Sequence, residues 1–116
     1  MTDAHVTVAD LKAQVAAFVD ERDWHKFHSP KNLVMGLMVE AAELMEHFLW
    51  VDLEESRKMA QEAAKRQAIA EEMADVACYL LALANVLGVD LAQATLNKLR
   101  KNAEKYPVEL YRGRYQ

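Results

Sequence analysis

An all-α fold, a four-helix bundle-like subunit, is what this sequence predicts, and three observations predict it. Only three Gly and two Pro interrupt 116 residues, while the strong helix formers Ala, Leu, Met, Glu and Lys are plentiful. Apolar residues recur at steps of three and four through most of the chain. Helix-capping residues stand at the joints between those runs.

The elements follow in order. Thr7 is placed to cap a first helix running to Asp20–Arg22, in which Val8, Leu11, Val15 and Phe18 share a face. Residues 23–32 break the amphipathic pattern with Trp24, His25, Phe27 and His28, followed by Ser29-Pro30. Pro30 turns Ser29 away from helical dihedrals and itself suits the first turn of a second helix over 31–50. Asp52 begins a polar stretch and is placed to cap a short turn. Residues 55–88 read as helical, with a weakly apolar interval at Met59–Gln67 that allows a short helix followed by a long one. Gly88 fits a C-cap and Asp90 an N-cap for a last helix through Lys105, which Pro107 stops. The pattern yields one domain over 1–116, with a helical core at about 7–106 and a tail, 107–116, without a predicted element.

Composition narrows the function. Apolar residues make up 53% and charged residues 28%, so the chain can build a core. The formal charge of −4 is unevenly placed. Residues 98–116 carry six basic and two acidic side chains, and the first 97 carry eight basic and sixteen acidic. An acidic body with a basic end does not present the broad positive face that a nucleic acid polymer requires. Cys78 is the only cysteine and lies in an apolar run, which predicts a small buried thiol. Val76–Ala84, the apolar run around it, is far too short to span a membrane. Met1–Asp10 lacks a positive region ahead of an apolar stretch, which does not predict a signal peptide. The expectation is a cytoplasmic protein.

The second and long third helices are apolar nearly all round, through Met35, Leu37, Met38, Val39, Leu44, Met45, Phe48 and Leu49 on one and Met73, Val76, Tyr79, Leu80, Leu83 and Val86 on the other. A surface helix of a small monomer keeps a polar half, so this pattern predicts a homo-oligomer with these helices at its centre.

Inside the same greasy helices stand four carboxylates. Glu40 and Glu43 are three residues apart and share a face, as do Glu72 and Asp75; Glu71 points about 100° away. No Lys or Arg follows any of them at i+4, where Leu44, His47, Val76 and Tyr79 stand instead. Ordinary surface carboxylates are the bland alternative. Four converging acids without cations, however, repel and are costly to bury, and divalent ions remove both penalties. The all-oxygen donor set predicts Mg2+, with Mn2+ as a substitute. A di-iron bundle would want Glu-x-x-His, and no Glu here has a His three residues later. Metal in an acidic pocket suits a phosphate chain and attack by water upon it. Lys98, Lys101 and Lys105, with Asn102 beside them, offer cations on the other side. Trp24, Phe27, Trp50 and Tyr79 lie at element ends or toward the carboxylates and could stack on a base. Tyr79 is four residues after Asp75, and Trp50 seven after Glu43. Phe18 and Phe48 read as core, and His5, His25 and His47 as ordinary positions.

These residues carry a resemblance. Glu40-Ala-Ala-Glu43, followed after 28 residues by Glu72-Met-Ala-Asp75, resembles the magnesium motif of the MazG-like all-alpha nucleoside triphosphate pyrophosphatases. Arg22-Asp23-Trp24-His25-Lys26-Phe27-His28-Ser29-Pro30-Lys31-Asn32-Leu33 is similar to the stretch before the second helix in the dCTP pyrophosphatase branch. Phe48-Leu49-Trp50, Asp75-Val76 with Tyr79, and Asn97-Lys98 through Asn102 to Tyr106-Pro107 complete the likeness, which covers about 8–107. It implies a Mg2+-dependent hydrolase that cuts the α–β anhydride of a nucleoside triphosphate, dCTP or a 5-modified dCTP. Glu40, Glu43, Glu72 and Asp75 would bind the ions, and Glu43 would orient or deprotonate the attacking water. Lys98 and Asn102 would meet the phosphate chain, His28 would line the pocket, and the tail would cover a neighbouring subunit's site. The assembly implied is a tetramer made from two dimers, or a dimer, that cleans the nucleotide pool. Val15 stands where cytosine-specific relatives can carry a polar pocket residue, so dUTP or an oxidised nucleotide is an alternative substrate. A helical oligomerisation module without catalysis is the alternative of another class.

Overall fold

A computed structural model describes residues 1–114 and is all helix, with no strand among the described residues. Six α-helices and two 3-10 turns follow one another: α1 (Val8–Glu21), a 3-10 turn at His25–Phe27, α2 (Pro30–Glu46), α3 (Leu53–Lys58), a second turn at Met59–Gln61, α4 (Ala63–Leu87), α5 (Leu91–Lys105) and α6 (Val108–Tyr111).

Four of these helices, α1, α2, α3 and α5, start on a side-chain cap. Thr7 and Asp10 form a reciprocal capping box: the Thr7 hydroxyl accepts from the Asp10 N–H at 3.1 Å, and the Asp10 carboxylate accepts from the Thr7 N–H at 2.9 Å. The Ser29 hydroxyl caps α2 by accepting from the Asn32 N–H, with Pro30 in the first turn. Asp52 caps α3 at Glu55 and Asp90 caps α5 at Gln93.

Two helices end in the same way. After α4, Gly88 takes left-handed dihedrals (φ 66°), the Val89 N–H returns to the Ala84 carbonyl, and the Gly88 N–H bonds Asn85. That is a Schellman motif, and glycine serves it without strain. After α1 the left-handed position is Asp23 (φ 53°), with the Trp24 N–H on the Val19 carbonyl and the Asp23 N–H on Asp20. Trp24 then lies edge-to-face on Phe18, ring centroids 5.8 Å apart, the apolar contact that accompanies this ending.

Several boundaries differ from the sequence reading. The second helix stops at Glu46, and residues 47–50 form a turn rather than its last coil. The helical stretch expected over 55–88 breaks at Glu62, whose backbone is extended (φ −97°, ψ 116°), and α3 begins at Leu53 rather than Glu55. In the tail, Pro107 starts a new helix as well as stopping the old one: α6 forms directly after it, and Tyr111 packs edge-to-face on Tyr106 at 5.1 Å. The last two residues of the predicted tail, 115–116, lie outside the described residues.

The interior is small. α2 packs along α4, and α1 packs on α4. Among the described residues the buried apolar side chains are Val19, Leu33, Met59, Leu81, Ala82 and Ala84, of which Leu33, 1% exposed, is buried most completely. The fourth long helix does not join this core. α5 leaves α4 at 101° and packs along none of the three, so one chain supplies three walls of the bundle and an arm. α1 ties down the elbow between α4 and the arm: the Lys12 ammonium donates to the Val89 carbonyl at 2.8 Å, and the Asn85 amide donates to the Lys12 carbonyl at 2.9 Å.

Phe18 and Cys78, expected in the core, are exposed on this chain. Phe18 is 48% exposed because its partners are at the surface: the edge of Trp24 and the Arg22 guanidinium 3.7 Å above the ring. Cys78 is exposed, while Leu81 and Ala82 further along α4 are buried. Desolvation, with help from Asp75, pushes its thiol up, so it stays protonated.

Candidate metal centre

The seam between α2 and α4 is where the acidic pairs meet. Glu40 and Glu43 leave α2 one turn apart, and Glu72 leaves α4 opposite them. Oxygens of Glu40, Glu43 and Glu72 lie within 4.8 Å of one another. Asp75, one turn after Glu72, stands outside that trio, yet its charge acts on both Glu40 and Glu72.

The electrostatics are those of acids forced together. Burial, then contact with Glu43, then the charges of Asp75 and Glu72 raise the Glu40 carboxyl to about 7. Glu72 is raised by the same causes, burial first, with His47 opposing. One oxygen on each, Glu40 Oε2 and Glu72 Oε2, is buried with no hydrogen-bond partner. Orphaned carboxylate oxygens in a half-buried acidic seam are what a divalent cation would satisfy, and three to four oxygen donors match Mg2+ or Mn2+. The residues present fit such an ion.

A close approach sets the seam's width beside the acids. Gly36 lies one turn before Glu40, and a Cβ built there would stand 2.3 Å from the Tyr79 ring, one turn after Asp75. Only a residue without a side chain lets that ring lie against α2. Tyr79 is thereby brought to the carboxylate region, as its spacing predicts.

The other sequence candidates are dispersed on this chain. Trp24 caps the first 3-10 turn and Phe27 is its last residue, Trp24 held by the Schellman ending of α1, with the Lys26 ammonium over the Phe27 ring. His28 follows, half-buried. Trp50 is 94% exposed in the turn after α2. The helical register that would align it with Glu43 is lost where α2 ends at Glu46. Lys98, exposed, and Asn102, half-buried, lie on the α5 arm, and no hydrogen bond or ion pair among the described residues joins their side chains to the acidic trio.

One residue near the centre was read as ordinary from sequence. His47 Nε2 approaches Glu72 Oε1 to 3.8 Å, with side chains 31% and 24% exposed. The signal was its spacing, four residues after Glu43 on the same face.

Known proteins resemble this geometry and its sequence. The model of the MazG-like family matches residues 37–114. The chain is 44% identical over 107 residues to a dCTP pyrophosphatase 1 from Bos taurus and 41% identical to one from Homo sapiens; the match covers 92% of this chain in each case. It spans 63% of the length of those relatives. The crystal structure of a pyrophosphatase from Archaeoglobus fulgidus superposes with a TM-score of 0.81 at 34% identity, covering 92% of this chain and 98% of that one.

Proposed function

The chain belongs to the MazG-like family, and from that premise we propose that it hydrolyses a nucleoside triphosphate at the α–β anhydride, releasing the monophosphate and pyrophosphate. The observation that carries the reading is the trio Glu40, Glu43 and Glu72 with its two orphaned buried oxygens. A purely structural helix interface gives those oxygens no purpose, which weighs against a non-catalytic oligomerisation module.

In this proposal Glu40, Glu43, Glu72 and Asp75 hold Mg2+, with Mn2+ as a substitute. The ions supply charge neutralisation and Lewis acidity toward phosphate oxygens. Glu43 orients the attacking water and takes its proton. Lys98 and Asn102 bind the phosphate chain as donors, and Trp24, Phe27, His28, Trp50 and Tyr79 form the base and sugar pocket. The substrate is dCTP or a 5-modified dCTP, the reading that similarity to dCTP pyrophosphatases supports. The assembly is a homo-oligomer, a tetramer of two dimers or a dimer. No single helix among the described residues is long and apolar enough to cross a membrane, and the proposed setting is the cytoplasm, where the enzyme clears unwanted nucleotides.

Pyrophosphate release, measured with Mg2+ across the four deoxynucleoside triphosphates, dUTP and 5-modified dCTP, tests this. Turnover of cytosine substrates that ceases with chelator is expected. Turnover confined to dUTP would move the substrate, and no turnover of any nucleotide would remove the enzyme.

A further inference from the structure

Glu72 presents its two oxygens to different neighbours. Oε2 is buried in the seam without a partner, while Oε1 faces the imidazole of His47 at 3.8 Å, inside ion-pair range and outside hydrogen-bond distance. His47 is placed there by the end of α2. It is the C-cap residue, its backbone still helical (φ −65°, ψ −16°), and so it keeps the face of Glu43 one turn earlier. A carboxylate that offers one oxygen to a cation gains orientation when a donor engages the other. From this geometry we infer that His47 is a positioning residue of the metal centre, whose Nε2–H holds Glu72 with its second oxygen turned into the acidic seam. The role needs only an N–H at Nε2, which a neutral tautomer and the imidazolium both supply. It rests on the reading of Glu72 as a metal ligand and adds the residue that aims it.

The test is Mn2+ binding by the nucleotide-free protein, followed by electron paramagnetic resonance, with no turnover involved. His47→Leu, which removes the donor at similar bulk, should weaken Mn2+ binding by about 10- to 100-fold with unchanged far-ultraviolet circular dichroism. His47→Gln, which can return an N–H near the place of Nε2, should bind close to the wild-type chain. In the unsubstituted protein, the 15N resonance of His47 Nε2 should shift when Mg2+ is added, a readout that no folding defect can imitate. Wild-type affinity in His47→Leu, or a His47 resonance indifferent to Mg2+, overturns the inference while leaving the carboxylate centre in place. A wild-type chain that binds no Mn2+, like a Glu72→Gln control, overturns both.

Discussion

At the scale of single residues, Glu40 states the problem that the site poses. Its carboxyl is raised to about 7 against an ordinary 4.5, because ionising it means placing another negative charge in a half-buried seam already shared with Glu43, Asp75 and Glu72. The sign follows by linkage: the folded chain holds a proton there that the unfolded chain has lost, so metal-free stability is greatest below about pH 4.5 as regards this group and declines as pH rises to about 7. Melting temperatures recorded in chelator should show that decline, and Glu40→Gln should flatten it. Cation binding must expel the same proton, so Mg2+ affinity should fall by up to ~10-fold per pH unit below about 7, as isothermal titration would record. Glu43→Gln keeps the volume and removes one charge. Turnover should drop at least ~100-fold with the melting temperature held or raised, since one repulsion is relieved. Trp50, 94% exposed, has no core to lose; Trp50→Ala should leave stability within about 0.5 kcal/mol while raising KM in steady-state assays.

At the scale of elements, what could be read from sequence divides along chemical lines. Caps were legible at Thr7, Ser29-Pro30, Gly88 and Asp90 because each uses a residue type specialised for that place. The end of α1 falls where the sequence places it, at Asp20–Arg22, but its Schellman form was not legible, because Asp23 occupies a left-handed position that sequence rules reserve for Gly or Asn. The short helix followed by a long one was legible in the weakly apolar interval Met59–Gln67, but the place of the break, Glu62, was not, since no Gly or Pro marks the extended backbone. The acidic pairs were legible as pairs because three-residue spacing fixes a shared face, and their convergence was legible from the lack of cations; that His47 stands beside Glu72 was not, because which residues two helices bring into contact depends on how they pack. Two substitutions test these elements by denaturant unfolding. Asp23→Val should cost about 1–2 kcal/mol, through a branched side chain at positive φ, and disturb Trp24 with it. Gly36→Ala should cost about 1–3 kcal/mol, because its methyl group needs the place that the Tyr79 ring holds.

At the scale of the molecule, the chain is more open than a compact domain of its size. Its accessible surface is 9445 Å2, against about 6,400 Å2 for a compact protein of its mass. Its radius of gyration is 17.1 Å, against about 13 Å for a compact domain of comparable length. The excess of roughly 3,000 Å2 is the size of an obligate subunit interface. Met35, Met38, Val39, Met45 and Met73 on the main helices, with Leu96 and Leu99 on the arm, are among the apolar side chains left uncovered. The all-round apolar pattern of α2 and α4 agrees with the exposure of their apolar side chains; the detachment of α5 left no trace in its own well-capped, amphipathic sequence. Sedimentation at micromolar concentration should find a dimer or tetramer, and Leu99→Lys should shift it toward smaller species without loss of helicity.

The clamp that Lys12 places on the Val89 carbonyl has a mechanical meaning. α5 is a lever about 22 Å long swinging from that pivot, so a 10° rotation would carry its tip about 4 Å, more than any hydrogen bond tolerates. A residue on the first helix, remote in sequence from Glu40, Glu43, Glu72 and Asp75 and from Lys98 and Asn102, therefore holds the elbow from which the arm leaves. Under the proposed function, where Lys98 and Asn102 meet the phosphate chain, slackening the pivot would weaken that grip and leave the carboxylate seam between α2 and α4 untouched.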